Sequence, residues 1–406
     1  VNRSGSPNSI RHAAGIEITD AEGTTRLDLL AAMASSLGHR HDGLLLALNQ
    51  VADAYLGPGA ILSAWVEPTG ENRPVPTPRW DAPFSEFAAV RLLPSVAEAN
   101  DLAIQLARQI GLSGEAARLG GRGTAARDAY RVITLLGSEL GDTLACRSAS
   151  GTFERQASLG PLVPGFRHVA PGDLRAIERS VDSQTAAILL APVDWSRGGL
   201  AWDADFLPKV RELCDAKNLL LMLDETRLPA AIGGRWFYHQ TADIRPDIVI
   251  ASAGWTGGLP GGLVMVTRQD HAAIAFGQDR SNRGDSDYPL LLEIVRATAA
   301  GIESLGGPER AIALGEAWQA GLQELVEGFE FLADIEIQGL WAVLRSDIDA
   351  HGIAAACGRA GVRLAVTNDT TLLACPPLSV TANNLIDIFA RLRSGLEMVE
   401  RETIES

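Results

Sequence analysis

The sequence predicts an α/β protein: a large domain built on a mostly parallel sheet sandwiched by helices, followed by a smaller α+β domain. Three observations predict this. Apolar residues make up 46% of the 406, enough for a sizeable core in two domains or one large one. Between about residues 85 and 300, short apolar runs alternate with helical stretches, the order that gives a parallel sheet covered on both faces. From about residue 303 the order becomes helix, strand, helix, strand and a closing helix.

In chain order, Gly15-Ile16-Glu17-Ile18-Thr19-Asp20-Ala21-Glu22-Gly23 alternates like a half-buried strand running into a glycine turn. Pro68, Pro74, Pro76, Pro78 and Pro83 forbid a helix or a central strand over residues 66–83, so an extended loop is expected. A helix is expected over Glu98–Ile110 and another over Asp205–Lys217. Apolar strands are expected at Val132–Leu136, Ala187–Leu190, Leu219–Leu223 and Ile248–Ile250. Further on come a helix over Glu309–Phe329, one strand over Glu336–Leu344 and a last helix over Thr381–Glu400.

Composition narrows the function classes. A formal charge of −15 argues against nucleic acid or anionic membrane as partner, since both require a positive surface. No segment reaches the roughly 18–20 apolar residues of a membrane span, and the first 15 residues carry no apolar stretch of signal-peptide length. Cys146, Cys214, Cys357 and Cys375 are scattered, without zinc-ligand or disulfide-framework spacing. A cytoplasmic protein without a metal is the expectation. His39 and His41 lack a third ligand nearby and read as loop or packing residues.

Several motifs carry chemistry. Leu221-Met222-Leu223-Asp224-Glu225 is an apolar strand ending in carboxylates, although an Asp in such a place often only caps the next helix. Pro246-Asp247-Ile248-Val249-Ile250-Ala251-Ser252-Ala253-Gly254 runs into the glycine-rich Gly257-Gly258-Leu259-Pro260-Gly261-Gly262. Pro94-Ser95-Val96-Ala97-Glu98-Ala99-Asn100 turns into a helix whose N-terminus could face an anion. Together these resemble the class-III, fold type I aminotransferases of the acetylornithine/ornithine type, which use pyridoxal phosphate (PLP). The resemblance runs from about residue 14 to the C-terminus.

The resemblance implies a seven-stranded sheet and a homodimer. It also implies a division into residues 1–50 (an N-terminal segment of the small domain), 51–302 (the large domain) and 303–406 (the small domain). It places Asp224 against the cofactor's ring nitrogen, and Ser95, Val96 and Ala97 at the phosphate turn. Glu139 stands where the family has a ring-stacking Phe. Arg227 stands where it has the Gln that meets the cofactor's phenol oxygen. Ala191 and Ser196 replace two glutamates, Leu373 stands at the substrate-carboxylate arginine, and a looser alignment puts Gly284 where a neighbouring subunit's Thr belongs. Ala253 stands at the lysine that carries PLP as a Schiff base.

Lys209 and Lys217 are the only lysines in the chain. Lys217 is roughly 20 Å from Asp224 at about 3.3 Å per strand residue, and Lys209 sits further back on the outer helix. No residue is therefore assigned to catalysis and no covalent cofactor is expected. The reading is an acetylornithine/ornithine aminotransferase homologue that has lost transamination, a pseudoenzyme with a binding or regulatory role. It would act as a homodimer or as a heterodimer with an active paralogue. Two alternatives stand beside it. One is PLP or pyridoxamine phosphate (PMP) held non-covalently by Asp224. The other is an active enzyme of arginine biosynthesis, moving an amino group between N-acetylornithine and 2-oxoglutarate.

Overall fold

The computed structural model describes residues 10–55, 83–112, 129–276 and 289–404. Pro68, Pro74, Pro76, Pro78 and Gly284 lie outside them. The chain opens with an antiparallel meander, β1 (Ile10–Ala14), β2 (Glu17–Asp20) and β3 (Thr25–Asp28). Its fourth strand, β15 (Val362–Arg363), comes from far down the chain and runs parallel to β3.

The central layer holds seven strands. They are β4 (Ala89–Leu93), β5 (Arg131–Leu135), β6 (Phe166–Val169), β7 (Thr185–Leu190), β10 (Leu220–Glu225), β11 (Ile248–Ala251) and β12 (Gly262–Val266), in the order β4-β12-β11-β10-β7-β5-β6. Only β12 runs against its neighbours. Every residue of β7, β10, β11 and β12 is buried, because helices cover both faces, and that is why these strands read as unbroken apolar runs. Side-chain alternation sends Leu220 and Met222 toward the helix Val96–Leu112, and Leu221 and Leu223 toward the helices Leu174–Ser180 and Phe206–Lys217. The helix expected from Glu98 starts at Val96. Ser95 Oγ accepts the Glu98 N–H at 3.1 Å and donates to a Glu98 carboxylate oxygen at 3.0 Å, a cap the Ser-x-x-Glu spacing encodes.

Asp247, just before β11, fixes how β10 and β11 meet. Its Oδ2 accepts the Leu221 N–H at 2.9 Å and pairs with Arg211 at 2.9 Å, while its own N–H donates to the Leu221 carbonyl at 2.9 Å. The register that follows sets Met222 beside Ile248, Asp224 beside Ile250 and Glu225 beside Ala251.

A second antiparallel sheet of β13 (Leu332–Gln338), β14 (Trp341–Ser346), β16 (Ala365–Asn368) and β17 (Thr371–Ala374) forms near the C-terminus, in the order β13-β14-β17-β16. Here the single strand expected over Glu336–Leu344 is corrected: it is a hairpin that turns at Gly339. Gly339 has φ +59°, and a Cβ there would lie 2.3 Å from the Ile232 carbonyl oxygen, so only glycine fits the turn. The closing helix is Ala382–Ile404. All four cysteines are free and buried. Burial pushes the thiols up, to about 11 for Cys146 and about 12 for Cys214 and Cys357. Among the described residues no helix is long and apolar enough to cross a membrane, and no cluster of His, Cys, Asp and Glu could hold a metal ion.

The segment after β10 is held by a buried ion pair. Glu225 accepts the Tyr238 and His239 N–H groups at 2.7 and 2.8 Å and meets His239 Nδ1 at 2.8 Å, with Glu86 4.0 Å from the other ring nitrogen. Burial disfavours the charged imidazole, but the Glu225 carboxylate, helped by Glu86, overrides it and raises His239 from 6.5 to about 9. The stabilisation is therefore fully present below pH 6.5 and is lost as pH rises through about 9. Melting temperatures recorded across that window should fall for the wild type and stay flat for His239→Gln. Removing the partner of buried Glu225 should itself cost roughly 3–5 kcal/mol in urea unfolding.

Candidate functional site

β7 stops at Leu190, opposite Leu223. Asp224 is thus paired on its β11 flank and open on the other, at the carboxyl ends of the parallel strands where ligands of such sheets sit. A cavity of about 200 Å³ opens there. Its walls are the ends of β5, β7 and β10, the loop Gly137–Leu140, β8 (Val193–Asp194, paired with β9, Leu200–Ala201) with Trp195, Ser196 and Trp202, and Thr367 from β16.

Asp224 is 7% exposed. One carboxylate oxygen accepts the Thr226 N–H at 2.9 Å. Burial pushes the carboxyl up. Among the described residues no cation stands within ion-pairing distance of it. Arg227 follows on the same turn, and its guanidinium carbon lies 3.7 Å from the centre of the Trp195 ring. Its Nη1 is 3.0 Å from Glu139 Oε2, and Arg155 Nη1 is 3.9 Å from the other Glu139 oxygen.

The turn carrying Trp195 is fixed by Asp194, whose Oδ1 accepts the Ser196 N–H at 3.0 Å and its hydroxyl at 2.6 Å. Trp195 stands edge-on to Trp341 at 5.9 Å, and the Trp202 indole N–H donates to the Ala191 carbonyl at 2.9 Å. Ser138 and Ser196 spend their hydroxyls on the Leu135 carbonyl and on Asp194. Among the described residues the walls hold no histidine and no lysine, so they offer charge recognition and aromatic contact, not an activated nucleophile.

The sequence-predicted residues divide. Asp224, Glu139 and Arg227 come together in this cavity, and Ala191 and Ser196 share its walls. Ser95, Val96 and Ala97 sit at the start of the helix Val96–Leu112 but line none of it. The Gly137–Gly141 loop lies against them. Gly141 has φ +117°, a Cβ on it would fall 2.5 Å from the Ala97 Cβ, and Asn100 Nδ2 holds the Leu140 carbonyl at 3.0 Å.

Ala253 is buried just beyond β11, where its N–H donates to the Thr226 carbonyl at 3.0 Å and its own carbonyl accepts the Ala230 N–H at 3.2 Å. Position 253 is therefore tied to the turn that carries Asp224. Leu373 lies inside the core on β17, between Val343 and Ala365, and Thr367 of the adjacent strand reaches the cavity instead. Lys209 pairs with Asp205 and, with Lys217, lies on the helix Phe206–Lys217 away from the walls. Sequence reasoning gave no role to Asp194, Trp195, Trp202, Arg155 or Thr367. The Asp194-Trp195-Ser196 order was the one available signal, since Asp followed two residues later by Ser is a turn former.

Comparison with known proteins places this architecture. The model of aminotransferase class-III matches residues 2–396. The acetylornithine aminotransferase of Methanocaldococcus jannaschii is 28% identical over 374 residues, 91% of this chain and 89% of that protein. Acetylornithine aminotransferase 1 of Bordetella bronchiseptica is 29% identical over 375 residues, 92% of this chain and 90% of that protein. The solved ornithine aminotransferase of Toxoplasma gondii, crystallized with oxidized glutathione and partly occupied by PLP at its active site, superposes with a TM-score of 0.79. It is 23% identical and covers 99% of this chain and 93% of its own. The seven-stranded, helix-flanked sheet is thus shared with fold type I aminotransferases.

Two measurements check the geometry. Gly141→Ala should lower stability by about 1–3 kcal/mol in urea unfolding, because the methyl meets Ala97 and the backbone angle is strained. A double-mutant cycle with Glu139→Gln and Arg227→Gln should give a coupling energy below about 1 kcal/mol, as both groups are more than a third exposed.

Proposed function

We propose that this chain, which belongs to the class-III aminotransferase family, uses the family scaffold to bind a small molecule and does not perform transamination. The observation that carries the reading is that neither of the chain's two lysines lines the cavity around Asp224. Amino transfer on PLP needs a lysine for the imine and the proton shift, and a carboxylate to keep the ring nitrogen protonated. Asp224 supplies the second requirement. Ala253, at the position that resembles the family's lysine, supplies neither an amine nor a proton acceptor.

The remaining walls also fit the cofactor poorly. Glu139 adds a carboxylate where an electron-rich ring would lie, and it is bridged to Arg227 across the same space. The helix N-terminus suited to a phosphate is outside the cavity, with the Gly137–Gly141 loop packed on Ala97. Leu373 offers no charge to a substrate carboxylate. These features support a scaffold that keeps its strand cores while its cofactor contacts have changed. A second subunit, either another copy or an active paralogue, belongs to the same reading, and mass measurement of the protein purified from its native cell addresses it.

The decisive experiment is a PLP titration. No imine absorbance should appear, and borohydride should fix no pyridoxyl group to the protein; a fixed adduct on any side chain overturns the proposal. Glutamate formation from N-acetylornithine and 2-oxoglutarate should stay at background. Ala253→Lys alone should not raise it, because the ring and phosphate contacts remain altered.

A further inference from the structure

We infer that the cavity takes a small zwitterion, its ammonium on Asp224 and its carboxylate on Arg227, in the space a phosphorylated ring would otherwise fill. This deepens the binding role proposed above and rests on it.

The charges on the walls make the case. Of the lining carboxylates, Asp194 is satisfied by Ser196, and Glu139 is neutralised by Arg227. Among the described residues Asp224 is left over: buried, hydrogen-bonded to Thr226, and facing the cavity with Arg227 near it but no cation in ion-pair contact. Burial favours its neutral form, and a protonated nitrogen seated against it would restore the charge and pair strongly, because little water competes there. An anion alone would meet its repulsion.

The other end is set by Arg227. Its guanidinium carbon is held 3.7 Å from the centre of the Trp195 ring, a contact that steadies its fork for a carboxylate. At present the Glu139 side chain, 55% exposed, occupies that fork. An exposed ion pair contributes little, so Glu139 can swing into solvent and yield the place to a ligand carboxylate at small cost. Arg155 supports the exchange. Its Nη1 is buried without a hydrogen-bond partner and stands 3.9 Å from the second Glu139 oxygen. Glu139 thus stands in for the ligand's own acidic group. Trp202 and Pro171 add apolar wall to the same cavity, and about 200 Å³ suits a molecule of amino-acid size.

Calorimetric titration of the full chain tests this, using a series of straight-chain amino carboxylates of increasing length, with butylamine and butanoate as single-charge controls. At least one amino carboxylate should bind, with both controls weaker by about tenfold or more. Glu139→Gln removes the internal competitor and should tighten binding by about threefold. Asp224→Asn should weaken it by about tenfold or more while melting as the wild type does. If that variant fails to fold, Arg227→Gln gives the same reading: it should weaken the amino carboxylates and leave butylamine unchanged. The inference is overturned if no member of the series binds, if butylamine binds as tightly, or if Glu139→Gln weakens binding. An imine in the PLP titration removes the proposed function itself, whereas silence in both titrations removes only this inference.

Discussion

The Asp247 carboxylate takes the Leu221 N–H and the Arg211 guanidinium together, and the geometry of the cleft follows from that contact. It locks β11 against β10 at their entry ends, in a sheet whose strands are apolar on both faces and so give register little other guidance. Downstream of the lock, Asp224 falls on the open flank beyond the end of β7, while Glu225 turns to the opposite face and meets His239. A slip of one residue would exchange the two carboxylates, burying one without its histidine and removing the other from the cavity.

Within the cleft, two oppositely charged positions answer each other. Glu139 and Arg227 are 88 residues apart in sequence, and each alone would be an awkward charge beside an aromatic wall. Together they make a neutral pair, with Arg227 over Trp195, and among the described residues Asp224 becomes the lining carboxylate left to be matched. The chemistry of the site is then a matter of placed charges in a small, partly dry space.

Much of this fold was legible in the chain because fully buried strands announce themselves as continuous apolar runs, and β7, β10 and β11 fall where those runs predict. The hairpin at Gly339 was not, since Leu340 is buried and keeps the run apolar through the turn; the turn exists because the Ile232 carbonyl lies against Gly339. In the site, Asp224 was legible from a strand ending in carboxylates. Glu139 and Arg227 were legible only as separate departures from a familiar pattern, because their pairing depends on sheet order and not on spacing. Trp195 owes its place to the Asp194 turn and to Trp341 on another sheet, neither of which sequence order brings near.

The four buried thiols have a practical consequence. Cys146 belongs to the core on the side of the helix Val96–Leu112, Cys214 to the opposite core, and Cys357 and Cys375 to the cluster shared with the C-terminal sheet. Held protonated and out of solvent, they are poor nucleophiles while their surroundings stay shut. Alkylation therefore becomes a stopwatch for breathing: the order in which an electrophile marks the cysteines reads out which compartment of the interior opens first.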